Sequence, residues 1–205
     1  DLNKSLNRLS TGLRINRASD DAAGLAVSEN LRTQVRGLSQ ARANASDGMS
    51  LLQIAEGAAN EISSILQRMR ELAVQSTNDT LTTTERSYTD QEYNALINEI
   101  DRITDSTQYN GITLLDGETG SFGTTGTNTL HIGPNAASAD AVTITISGIS
   151  STGLGIATTT SGVSTQAAAL TAISSLDNAI NSINTMRSDL GAYVNRLEHA
   201  VNNID

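Results

Sequence analysis

Two stretches of this chain repeat apolar or small residues every three or four positions over spans longer than the interior of a compact domain can use. The first runs Leu38, Ala41, Ala45, Met49, Leu52, Ala55, Ala59, Ile62, Leu66, Met69, Ala73. The second runs Leu170, Ile173, Leu176, Ile180, Ile183, Met186, Leu190, Val194, Leu197, Val201, Ile204. Both spacings average about 3.5 residues, the heptad period that keeps one seam of a helix facing a partner. The only proline, Pro134, lies between the two stretches, so neither is broken. The first predicts a helix of roughly 55 Å at 1.5 Å per residue. Gly48 and Gly57 lie within it, at about 1 kcal/mol each relative to alanine. Several seam positions are alanine, which lets a neighbouring helix approach closely. The two seams bury most economically against each other.

Composition points the same way. Of 205 residues, 38% are hydrophobic but only 2% aromatic, with one Phe and no Trp. The core must therefore be built from Ile, Leu, Val and Ala, which favours thin, elongated helical packing in one or two domains. A net charge of -9 argues against nucleic acid, because phosphate binding needs a surplus of Lys and Arg in one patch. The absence of cysteine excludes disulfides and thiolate chemistry. No apolar run approaches the roughly 18 residues that span a bilayer, so no membrane partner is expected. The opening "DLNKSLNRLS" has no secretory-signal features and already spaces Leu2, Leu6 and Leu9 as in a helix, while "EHAVNNID" stops in mid-pattern. Both ends are expected to be cuts inside helical segments.

Before and between the seams the pattern changes. A shorter helix is expected from about Asp20 to Arg36, capped by Ser19, with Asp20 and Asp21 in its first turn and the turn-like "STGLRINRAS" before it. Thr82 followed by Glu85 is a capping box opening a third helix, with Tyr93, Leu96, Ile97, Ile100 and Ile103 on one face and an end near Asp105. "YNGITLLDG" reads as a hairpin, "GETGSFGTTGTN" as loop, "TLHIG" as a short strand, and "AVTITISG" as a half-buried strand with Val142, Ile144 and Ile146 inward. The expected fold is mainly α: an elongated antiparallel helical bundle of long heptad-patterned helices. Residues 1–115 and 160–205 form its discontinuous core, and 116–159 form a short β-rich insert.

Catalytic and metal-binding groups are scarce. His131 falls in a strand and His199 on a helix, neither with a second ligand at metal spacing, and no HExxH, GxSxG or Walker-type stretch occurs. Glycines at 117, 120, 123 and 126 are too few for collagen and read as a turn region. Asp20 and Asp21 read as a helix start, and the Asn-x-Ser/Thr triplets at Asn3, Asn44 and Asn78 carry no weight in a sequence so rich in Ser, Thr and Asn. No enzyme, cofactor or metal is expected.

One short stretch does not fit a plain helix. In "LQRMRELAVQS", residues 66–76, the stripe is Leu66, Met69 and Ala73, and Leu72 lies roughly a right angle from its centre, beside Ile65 and one turn after Arg68. Spacing leaves two readings open. Either Leu72 packs against the helix of residues 83–105 and Arg68 is solvated, or the Arg and Leu face a partner molecule, one forming bidentate hydrogen bonds and the other filling a groove.

Five blocks in order, "RLSTGLRINRASDDAAGLAVSENL", "ARANASDGMSLLQIAEGAANEI", "LQRMRELAVQS", "EIDRITDSTQYNGITLLDG" and "MRSDLGAYVNRLEHAVNNI", closely resemble bacterial flagellin. The resemblance covers nearly everything except the β insert. It implies a helical core domain with a β-hairpin, exported through the flagellum's own channel and polymerised into the extracellular filament. It also implies that this chain lacks much of the terminal helices that build the filament's inner tube, and so is monomeric. The short insert leaves little to project outward as an antigen or adhesin. A flagellin-like hook-filament junction protein is the alternative. In the family, the matching helix face is buried between subunits and, in free monomers, is read by Toll-like receptor 5. Carried over residue by residue, that face comprises Gln67, Arg68, Leu72 and Glu92, with Arg187 as a further contact on the C-terminal helix.

Overall fold

The computed structural model describes residues 2–117, 122, 128–157 and 162–204. Its elements follow in the order α1 (Leu2–Thr11), α2 (Ala22–Ser76), α3 (Thr83–Ser106), β1 (Gln108–Tyr109), β2 (Ile112–Thr113), β3 (Asn128–His131), β4 (Ala141–Ile144) and α4 (Gln166–Ile204). The expected short helix and the first seam are one helix. α2 runs without interruption through Gly37 for 55 residues, about 82 Å. Its N-cap is Asp21 instead of Ser19: the Asp21 carboxylate accepts a hydrogen bond from the Gly24 amide at 2.9 Å. Asp20 sits in the preceding turn, its amide bonded to the Arg17 carbonyl.

α4 lies antiparallel to α2. Arg70 pairs with Asp177 near one end of the contact, and Leu197 packs on Gly48 near the other. From Ala41 onward the α2 seam is buried as spaced, through Ala45, Leu52, Ala55, Ala59, Ile62, Leu66 and Met69 to Ala73, with Met49 at its margin, while its expected first member, Leu38, is only half-buried. The α4 seam is displaced by one residue at its start. Ala169 and Ala172 are buried while Leu170 is 56% exposed, because close helix approach selects the smaller side group. Farther along, Leu176, Ala179, Ile183, Met186, Leu190 and Leu197 fill the interface, with Ile173, Ile180 and Val194 at its edge.

α3 starts at the expected capping box. The Glu85 amide donates to Thr82 Oγ1 and the Thr82 amide to Glu85 Oε2. It packs Tyr93, Ile97 and Ile100 into the same apolar cluster as α2 and α4. Asn110 and Gly111, both at positive φ (52° and 78°), turn β1 into β2; this is the signature of a type I′ hairpin.

β3 and β4 form a second antiparallel ribbon, with Asn128 opposite Ile144 and His131 opposite Ala141. It lies on the helices. Val142, Ile144 and Ile146 are buried, Asn44 Nδ2 donates to the His131 carbonyl at 2.9 Å, and the Thr145 and Tyr193 hydroxyls share a hydrogen bond. Leu130 occupies the place a Cβ at position 48 would need, which accounts for Gly48 inside a long helix, and Pro134 lies over Gly37. Most of the expected "GETGSFGTTGTN" loop, with Gly120, Gly123 and Gly126, falls outside the described residues.

Candidate functional site

Buried positions on the C-terminal part of α2 come in adjacent pairs, Ile62 with Ser63 and Leu72 with Ala73. A single seam would bury one of each pair. At Leu72 the extra residue is buried because α3 packs on the flank that α4 leaves open, so α2 carries a second apolar stripe there, whereas Ser63, one heptad before Arg70, lies on the α4 flank. Leu72 belongs to the second stripe. It is 2% exposed and shares the cluster of Tyr93, Ile97 and Ile100, which corrects the expectation that it faces other molecules. Of the two readings that spacing left open, packing against the following helix holds for Leu72.

Arg68, one turn earlier, is neither buried nor simply solvated. Its side chain is half exposed and bridges two helices. Nε and Nη2 both donate to Glu92 Oε1 on α3, at 3.0 and 2.8 Å, and Nη1 donates to Glu71 Oε2 at 3.1 Å. These bonds, that to Glu92 foremost, raise the Arg68 pKa above its ordinary value, so the charge is permanent in water. Three of five guanidinium N–H groups are used, which leaves two donors. Because both α3-directed bonds end on one oxygen, Glu92 Oε2 accepts nothing from Arg68. The result is a fixed cation ringed by carboxylates with unused donors and acceptors on an open face, an arrangement suited to docking a polar partner.

Arg70 does the corresponding work on the opposite flank, donating from Nε to Asp177 Oδ1 of α4 at 2.7 Å. Sequence reasoning missed this pair. Gln67 is exposed and lines a shallow depression with Arg70, Glu71, Val74 and Gln75, in which Val74 is 47% exposed. The structure thus brings together Gln67, Arg68, Glu71 and Glu92, with Leu72 beneath them. Arg187 is not part of this group. It lies ten residues beyond Asp177 along α4, about 15 Å of helix, half-buried, and its Nε has no hydrogen-bond partner among the described residues.

No group of three or more His, Cys, Asp or Glu suited to a metal ion occurs among the described residues, and no described helix is long and apolar enough to cross a membrane.

Residues 1–119 match the family model described as the bacterial flagellin N-terminal helical region, and residues 173–205 match the bacterial flagellin C-terminal helical region. The chain is 44% identical over 202 residues to a flagellin of Halalkalibacterium halodurans, an alignment spanning 98% of this sequence and 71% of that protein. It is 42% identical over 207 residues to the flagellar filament 33 kDa core protein of Treponema phagedenis, spanning 97% and 71%. Among solved structures, the crystal structure of Bacillus cereus flagellin superposes with a TM-score of 0.69 at 35% identity, covering 80% of this protein and 89% of that one.

Proposed function

The chain belongs to the bacterial flagellin family, and from that premise we propose that it is a structural subunit of the extracellular flagellar filament whose exposed α2–α3 face, centred on Arg68, contacts neighbouring subunits. In the free monomer the same face is the surface bound by Toll-like receptor 5. The observation that carries this reading is the Arg68 bridge. A charged group is held out from the helix by Glu92 and Glu71, half exposed, with Gln67 beside it. Leu72 acts from below, by holding α2 against α3 so that Arg68 and Glu92 meet. Arg187 is a separate contact on α4. Residues 1–115 and 160–205 serve as the core domain and 116–159 as the variable insert, and the subunit reaches the filament through the flagellar export channel.

A receptor-reporter assay tests the site. Arg68→Ala and Glu92→Ala are expected to weaken signalling several-fold with unchanged helicity, and Gln67→Ala less so. Parent-level signalling by both of the first two variants would remove the assignment.

A further inference from the structure

Asn110 is followed by Gly111, and no other asparagine in the sequence precedes a glycine. The pair forms the tip of the β1–β2 hairpin and both residues are exposed. No hydrogen bond holds the Asn110 carboxamide among the described residues. The ribbon beneath is only two residue pairs long, Gln108 with Thr113 and Tyr109 with Ile112, and Ile112 is 43% exposed. Below it the backbone is anchored firmly: the Leu114 amide donates to the Thr107 carbonyl at 3.1 Å, and Leu114 and Leu115 are buried. A loose tip therefore stands on a fixed base.

We propose that Asn110 is a site of spontaneous covalent modification, gated by opening of this tip. The Gly111 backbone nitrogen, unhindered by any Cβ, gives up its proton and attacks Asn110 Cγ. A new bond forms between that nitrogen and Cγ, the bond from Cγ to Nδ2 breaks, and Nδ2 leaves as ammonia. Water then opens the resulting cyclic imide at either carbonyl, giving aspartate or isoaspartate. Water and the hydroxide that removes the amide proton are the only other reactants.

The closed turn opposes the first step. In a type I′ turn, the mirror image of type I, the first central residue has ψ near about +30°, which directs the Gly111 nitrogen away from Cγ. Reaction runs through the open tip, and so short a ribbon opens locally without unfolding the helices. The products do not close again in the same way. Aspartate adds a negative charge to a protein already at -9. Isoaspartate inserts an extra backbone carbon and removes the Tyr109–Ile112 register. The hairpin is thus a one-way timer whose rate is set by its own opening.

The experiment incubates the folded protein and the urea-unfolded protein in mildly alkaline buffer for days. Cleavage before aspartate releases residues 105–115, which are examined by mass and chromatography. The peptide is expected to gain the mass of one amide-to-acid exchange; the aspartate product becomes cleavable at position 110 and the isoaspartate product resists. Folded protein should convert several-fold more slowly than unfolded protein, yet several-fold faster than its other asparagines. Gly111→Ala, compared in the unfolded state so that its folding does not matter, should slow conversion several-fold. An intact Asn110 in folded protein after complete conversion of the unfolded form would overturn the proposal. So would equal folded and unfolded rates, or a Gly111→Ala variant reacting as fast as the parent.

Discussion

Truncating Leu72 to alanine removes a side chain that is 2% exposed, and the expected cost is that of a core deletion, about 2–5 kcal/mol. Chemical denaturation should read this as a lower midpoint. Arg68→Ala leaves the core intact and should shift the midpoint far less, since exposed ion pairs contribute little to stability. Any signalling loss in Leu72→Ala is therefore to be compared with the Arg68→Ala variant before it is assigned to contact. A midpoint for Leu72→Ala equal to that of the parent would mean that Leu72 does not pack as described. The odd position of Leu72 was visible in the sequence, because its angle from the seam is fixed by helical geometry. Its burial was not, because that depends on which flank α3 covers. The same tertiary choice set the Arg70–Asp177 pair, which joins residues 107 apart in sequence, and no local pattern signals such a partner.

Elements with local punctuation were the most legible. The Thr82–Glu85 capping box opened α3 where its residues indicate, and Asn110-Gly111 turned the backbone as that dipeptide does elsewhere. The start of α2 was misplaced by two residues because Ser19 and Asp21 are both good caps and only the fold selects between them. The break expected near Gly37 did not occur, since one glycine costs a long helix only about 1 kcal/mol. At the start of the second seam, leucine was favoured over alanine by hydrophobicity, whereas packing distance chose alanine. The α3 cap gives a prediction with a definite sign. The Thr82 backbone amide, then its hydroxyl, lowers the Glu85 pKa below the ordinary glutamate value of 4.5. Its contribution is present above that unfolded value and is lost as pH falls through the depressed folded one. Acidification below about 4.5 should fray the α3 N-terminus ahead of the bundle, observed as early loss of amide protection at Thr82, Glu85 and Arg86. Glu85→Gln should remove that dependence. Identical acid profiles for parent and variant would rule out the linkage.

At the scale of the molecule, the long axis is set by one helix. Small-angle scattering should give a maximum dimension of at least about 82 Å, the length of α2, with the strongly helical circular dichroism of a bundle. A compact sphere would contradict the architecture. The body is uneven along that axis. From Ala41 to Ser76, α2 is sunk among α3, α4 and the ribbon, but none of its residues from 22 to 40 is buried, and Val27, Leu31 and Val35 are more than half exposed. In mechanical terms this is a cantilever, clamped over one stretch and bare over the other. Thermal bending and applied load alike concentrate where the clamp begins, at Gly37–Ala41, where Pro134 bears on the beam like a fulcrum. A push on the free end is thereby delivered as torque to the β3–β4 ribbon, which meets the beam at Gly37, Asn44 and Gly48 and the opposite rod at Tyr193.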